Sequence, residues 1–155
     1  AENGKTQPYE IFNKGLANYL IVQEGLAMYN VEKQQKNPFN KNYRVMANVM
    51  AIDKSIKSSF VEVFEYLLEK GLTTEQSFRS TLKAKRGFSD TGKKGAFTKD
   101  YIYMNGYKKI KNFAENGGAL RDLYIGKVNL EQIAEVKKIQ NINPPTILPS
   151  WIEKL

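Results

Sequence analysis

Helical spacing of apolar residues runs through almost the whole chain and limits the folds open to it. Over 11–34, 42–55 and 60–68, apolar side chains recur at three- and four-residue steps, which is typical of one face of an α-helix. Alternating patterns typical of strands are nearly missing. We therefore predict an all-α, mainly helical fold, with residues 1–155 forming a single helical subdomain. Pro8 is expected to start the first helix, since a missing N–H costs nothing there.

Two capping boxes predict where later helices begin. In the pairs Ser59–Glu62 and Thr73–Gln76, a hydroxyl and a carboxylate or amide stand three residues apart, so each can bond the other's backbone N–H. On the helix after Thr73, we expect Phe78 and Leu82 to lie on the buried side.

The second half of the chain alternates helices with loops. Residues 87–98, GFSDTGKKGAFT, contain three glycines and two lysines and predict a loop, called the 87–98 loop below. A helix is expected from 98 to about 116, and a shorter one, capped by Asn129, to about 140. The following NINPPTILPS is predicted to be extended, because each proline biases its predecessor away from helix.

The absence of two residue types excludes several kinds of chemistry. The chain has no cysteine and no histidine. This excludes disulfides, a thiolate nucleophile, histidine acid–base catalysis and any self-contained metal site with a histidine ligand. Lys and Arg number 24 against 16 Asp and Glu, a net charge of +8, which favours acidic partners.

Glu24 is the first candidate for a functional residue. It lies within a helical pattern, among apolar residues and beside Gly25, where a carboxylate is costly to bury unless it is paired or binds a metal. From its spacing it is either a solvent-facing or salt-bridged side chain, or a metal ligand. One carboxylate cannot hold a transition metal alone, so a metal site would need residues from outside this chain.

A cluster of cations is the second candidate. Lys83, Lys85 and Arg86 precede the 87–98 loop, and Lys99 follows it. They form either a solvated face near a helix C-terminus or a receptor for a carboxylate, an acidic peptide or a phosphate. Arg86 is the strongest candidate, because its planar guanidinium matches a carboxylate with two parallel hydrogen bonds.

Tyrosines on the next predicted helix form the third candidate group. Tyr101 and Tyr103 stand two residues apart and cannot share a helix face. Such residues are most often core or interface residues, but one hydroxyl could point into a cleft.

Two segments together resemble the QEGLA-motif family, which includes the microtubule-associated tyrosine carboxypeptidases. They are NGKTQPYEIFNKGLANYLIVQEGLAMYN and LKAKRGFSDTGKKGAFTKDYIYMNGYKKI. The likeness covers about residues 3–127 and includes the KRG and FTKD blocks of that family.

The resemblance implies a zincin-like zinc metallopeptidase of the carboxypeptidase type. It implies that Glu24 is the glutamate ligand of zinc, and that the HExxxH helix of the family, which has no counterpart here, lies just upstream. We therefore expect this chain to be the C-terminal part of a larger catalytic domain, inactive by itself and without tightly bound zinc. The cations named above would bind the terminal carboxylate of a peptide or protein tail, including an acidic tail such as that of tubulin, and Tyr103 could stabilise the oxyanion.

The alternative is a noncatalytic basic helical module that binds acidic peptides or nucleic acid, although nucleic acid is supported only by charge. No apolar run approaches the ~18 residues that span a bilayer, so we expect no membrane partner and a cytoplasmic location. A surface left by missing upstream helices is expected to favour homo-oligomers.

Overall fold

The computed structural model describes residues 2–34 and 39–152, apart from the side chains of 39–43. Those residues contain no strand, which confirms the mainly α-helical prediction. The α-helices are α1 (Glu2–Lys5), α2 (Ile11–Lys14), α3 (Tyr19–Gln34), α4 (Phe39–Ser55), α5 (Phe60–Glu69), α6 (Thr74–Ala84), α7 (Tyr101–Glu115) and α8 (Ile133–Val136). Short 3₁₀ segments span Leu120–Tyr124 and Leu130–Gln132.

The described chain is organised as two compact units. The first contains Ala1–Lys36 and Asn105–Leu155, and the second contains Asn37–Met104. The single subdomain over 1–155 stays a prediction. No helix within the described ranges is long and apolar enough to cross a bilayer.

The predicted helix over 11–34 is wrong in one respect, because the structure interrupts it. The backbone leaves the helix at Gly15, with φ 118°, and Asn18 adopts φ 62°. The N–H of Leu16 donates to the carbonyl of Lys127, 3.0 Å away, instead of continuing the helical ladder. This distant pairing explains the interruption. Helix α2 begins at Ile11, so Pro8 does not start it.

The core of the first unit rests on the apolar face of α3. Val22, Leu26 and Tyr29 are buried there together with Ile110 of α7. Beside them, Gly25 and Gly106 bring the two helix backbones into direct contact. A Cβ on Gly106 would overlap the carbonyl oxygen of Ile21, and one on Gly25 would overlap the carbonyl group of Gly106.

Two buried side-chain amides near the N-terminus hold the extended C-terminal segment. The Asn3 amide donates to the carbonyls of Tyr124 (2.9 Å) and Ile147 (2.8 Å), and its oxygen accepts from the Ile147 N–H. The Gln7 amide donates to the carbonyl of Asn143 and accepts from its N–H, both at 2.9 Å. These bonds satisfy backbone groups that have no sheet to pair with. They confirm that NINPPTILPS is not helical and show what orders it.

In the second unit, α4, α5 and α6 pack together, and both predicted capping boxes are present. The prediction for the buried face of α6 is wrong. Phe78 and Leu82 are 50% and 51% exposed, while α6 buries Ser77, Ser80, Thr81 and Ala84. Helix α4 presents Ala47 and Ala51 to this core. Small residues on both helices allow a close approach that large side chains would prevent.

The predicted helix after Asn129 is shorter than expected. The Asn129 side chain makes no capping hydrogen bond, and the segment divides into the 3₁₀ turn and the four-residue α8. The sequence also predicts that Asn37-Pro38 ends the helix over 11–34, and these two residues lie outside the described ranges. Helix α4 begins at Phe39 rather than near Asn42.

Gly106→Ala should destabilise the protein, because the added Cβ meets backbone that cannot rotate away. Overpacking of this kind costs about 1–3 kcal/mol or more, whereas helix propensity alone would favour alanine by about 1 kcal/mol. The free energy of unfolding in urea measures the change. The control is Asn112→Ala on the exposed face of α7, which should be neutral. An unchanged or raised stability of Gly106→Ala would contradict the close helix crossing.

Asn3→Ala should lower the free energy of unfolding by about 2 kcal/mol or more, because several buried backbone groups lose their partner. Urea unfolding measures it, with the exposed amide of Gln140 replaced by alanine as the control. A variant as stable as this control would show that the Asn3 bonds do not hold the C-terminal segment.

Candidate functional site

Glu24 lies on α3 beside the close helix crossing. The Glu24 side chain is half-buried. Glu24 comes two positions after Val22, which lies on the buried face of α3. Its neighbour Gly25 is fixed against the backbone of Gly106, so the start of the Glu24 side chain is held by a rigid helix segment. Within residues 2–34 and 39–152, the Glu24 carboxylate has no hydrogen bond or ion pair.

The residues that the structure describes do not complete a zinc site among themselves. Zinc sites in proteins use three or four ligands, from cysteine, histidine and carboxylates. The sequence has no histidine or cysteine, and the described part of the chain has no cluster of three or more Asp or Glu with metal-binding geometry. Glu24 can supply one carboxylate ligand to such a site.

A groove with a cavity volume of about 360 Å³ runs along α3 in the first unit. Gln23 and Ala27 of the QEGLA segment line it, opposite the extended residues 147–149, and Glu24 is not part of its lining. The sequence reasoning missed this groove because its far wall comes from a segment more than a hundred residues away.

The Arg86 guanidinium is oriented by two neighbours in the second unit. Its Cζ atom lies 4.2 Å from the centroid of the Phe97 ring, and Nη2 lies 4.0 Å from the Asp100 carboxylate. The Arg86 side chain is 53% exposed. Stacking on an aromatic ring leaves the N–H edges of the guanidinium free to donate. This arrangement can bind an anion from solvent.

Lys83 and Lys99 are exposed and lie near Arg86 in the sequence. Lys85 is different, since it is 1% exposed. Its ammonium donates to the backbone carbonyls of Ser58 (2.5 Å) and Lys93 (2.7 Å), among others. Burial lowers the pKa of Lys85, and the charge of Glu62 opposes that shift. The ammonium faces carbonyl oxygens on the inside of the unit, away from any substrate carboxylate.

Tyr103 is half-buried on α7 and Tyr101 is 49% exposed. Tyr107 lies one turn further along the same helix. Tyr107 donates a short hydrogen bond to the Glu32 carboxylate. Burial and this bond raise the pKa of Tyr107 above its ordinary value. The sequence reasoning did not find this pair, because 75 residues separate its members.

Asn30 links two further aromatic residues in the first unit. Its side-chain oxygen accepts from the Tyr124 hydroxyl at 2.7 Å and from the Trp151 indole N–H at 3.2 Å. Burial raises the pKa of Tyr124, and the bond to Asn30 partly offsets this. The end of α3 is thus a structural junction.

Comparison with known proteins relates this chain to one family. A family model described as microtubule-associated tyrosine carboxypeptidase matches residues 1–155. The putative tyrosine carboxypeptidase MATCAP2 of Mus musculus is 28% identical over 130 residues, which cover 82% of this chain and 25% of the relative. Microtubule-associated tyrosine carboxypeptidase 1 of Homo sapiens is 26% identical over 134 residues, covering 86% and 28%. The chain spans about a quarter of the length of these relatives.

Proposed function

The chain belongs to the microtubule-associated tyrosine carboxypeptidase family, and on that premise we propose that it forms part of a zinc-dependent carboxypeptidase domain. Its contribution would be one zinc ligand and a receptor for the carboxylate at the end of a peptide. The observation that carries the proposal is the pairing of this family membership with the exposed, oriented guanidinium of Arg86. The names of the relatives point to a protein tail ending in tyrosine as the substrate class.

The proposed carboxylate receptor is built around Arg86. A carboxypeptidase must recognise a free terminal carboxylate, and a guanidinium does so with two parallel charge-assisted hydrogen bonds. The Asp100 carboxylate, whose side chain is only 17% exposed, lies 4.0 Å from Nη2 of Arg86. At this distance it neutralises part of the guanidinium charge without forming a short hydrogen bond. The exposed Lys83 and Lys99 add positive charge that attracts acidic tails. Lys85 is left out of this receptor because its ammonium is engaged internally.

The proposed metal ligand is Glu24. Three features support it: its place in the QEGLA segment, its rigid backbone beside Gly25, and a carboxylate with no partner among the described residues. The remaining ligands must come from residues that this chain does not contain, since no histidine or cysteine is present. When bound, zinc would supply an activated water and polarise the scissile carbonyl.

A hydroxyl on α7 would complete the proposed substrate contacts. Tyr103, half-buried near the start of this helix, is proposed to donate to the oxyanion that forms as water attacks. A zincin-like arrangement of the whole domain is part of the same proposal.

Arg86→Ala should weaken binding of a short acidic peptide that ends in tyrosine with a free carboxylate. Loss of a charge-assisted pair lowers affinity by about tenfold or more. Fluorescence anisotropy on this chain measures it, with the amidated peptide as a second probe. Arg79→Ala is the matched control, because Arg79 is also exposed and pairs with Glu75 at 2.6 Å. Equal affinities of the Arg86 and Arg79 variants for the free carboxylate would exclude the receptor role.

Glu24→Gln should reduce zinc affinity in the longer gene product by at least about 100-fold, since losing a ligand costs more than losing its supporting contacts. Metal content after dialysis and peptide hydrolysis measure the loss. Glu115→Gln, at the exposed end of α7, is the control and should retain zinc. Full zinc occupancy in Glu24→Gln would refute the ligand assignment.

A further inference from the structure

The second unit encloses a lysine whose ammonium donates its hydrogen bonds to backbone carbonyls and lies 5.7 Å from the centroid of the Phe88 ring. Lys85 follows α6 directly and is 1% exposed. Its Nζ atom lies 2.5 Å from the carbonyl oxygen of Ser58, 2.7 Å from that of Lys93, 3.0 Å from that of Gly95 and 3.3 Å from that of Ser55. All four hydrogen-bond acceptors are backbone carbonyls and none is a carboxylate.

These carbonyls come from two segments of the second unit, the end of α4 with the turn after it and the 87–98 loop. Ser55 is the last residue of α4, where carbonyl groups lack helical partners and carry partial negative charge. Lys93 and Gly95 belong to the 87–98 loop. An ammonium has three N–H groups, and four carbonyls compete for them. The Lys85 ammonium therefore has no N–H group left to donate to any other ligand.

Around the Lys85 ammonium, backbone hydrogen bonds also connect the 87–98 loop to the ends of α4 and α6. The Gly95 N–H donates to the carbonyl of Ser55 at 2.8 Å, and the Phe97 N–H donates to that of Ala84 at 2.7 Å. Phe97 in turn is the ring on which the Arg86 guanidinium stacks. The position of the guanidinium therefore depends on a loop that the buried ammonium holds from within.

We propose that Lys85 is a positioning residue: an internal cation that fixes the 87–98 loop by binding its carbonyls and those at the end of α4, and so orients Arg86. The second half of this statement rests on the proposed function, whereas the first half does not. The role differs from simple packing, because it needs the charge and the N–H groups of Lys85 as well as its volume.

The ammonium of the unmodified chain gives the first test. At neutral pH the protons of exposed lysine ammonium groups exchange with water too fast to appear in a ¹H–¹⁵N spectrum. We expect a slowly exchanging ammonium signal for Lys85, with cross-relaxation to the backbone of Lys93 and Gly95, and we expect it to persist in the control variant Lys83→Met. Exchange of the Lys85 protons as fast as that of the exposed lysines would overturn the proposal. This measurement does not require any variant of Lys85 to fold.

The near-isosteric change Lys85→Met gives the second test, since it removes the charge and donors while keeping an unbranched side chain. Hydrogen exchange of the Gly95 and Phe97 amides should become faster by on the order of 100-fold, while amides inside α5 keep their protection. The matched control is Lys83→Met, because Lys83 is an exposed lysine in the last turn of α6. Unchanged protection of Gly95 and Phe97 in Lys85→Met would show that the residue only fills space.

Peptide binding separates this inference from the proposed function. The readout is the ratio of affinities for the free-carboxylate and amidated forms of the acidic peptide ending in tyrosine. Lys85→Met should lower this ratio toward that of Arg86→Ala, whereas general destabilisation would weaken both forms alike. A wild-type ratio of one would refute the carboxylate receptor but not loop fixation by Lys85, which the exchange experiments decide separately. Slow ammonium exchange with an unchanged ratio in Lys85→Met would instead refute the positioning of Arg86.

Discussion

Direct contact between the backbones of α3 and α7 at Gly25 and Gly106 sets the geometry of the first unit. Neither position has room for a Cβ, because each would overlap main-chain atoms of the other helix. Val22, Leu26 and Ile110 are buried together in the core of the same unit. Gly25 of the QEGLA segment is therefore required for steric reasons. The same backbone contact fixes the position from which the neighbouring Glu24 side chain begins.

In the second unit, the glycine-rich 87–98 loop is ordered by contacts with helix ends, without a β-sheet among the described residues. Small residues let α4 and α6 pack closely, which leaves Phe78 and Leu82 outside. The end of α4 and the 87–98 loop then meet around the Lys85 ammonium. A buried charge usually costs free energy, but backbone carbonyls on several sides offset much of that cost.

The two residues to which we assign functional roles lie in different units. Glu24, the proposed zinc ligand, belongs to the first unit, and Arg86, the proposed carboxylate receptor, belongs to the second. The chain contains no histidine or cysteine, so the proposed zinc site would need ligands from outside this chain. In the proposal the two residues have complementary roles within a domain of the tyrosine carboxypeptidase family.

Local chemistry in the sequence determined the helical class, both capping boxes and the 87–98 loop, because each depends on residues a few positions apart. Glu24 became a candidate because a carboxylate stands there among apolar residues, and Arg86 because its guanidinium lies in a cluster of cations. Tertiary structure decided the interruption at Gly15, where the next N–H pairs with Lys127. It also decided which face of α6 is buried and whether Lys85 meets solvent or carbonyls. These outcomes depend on backbone groups and neighbouring helices far along the chain, whose positions no local pattern encodes.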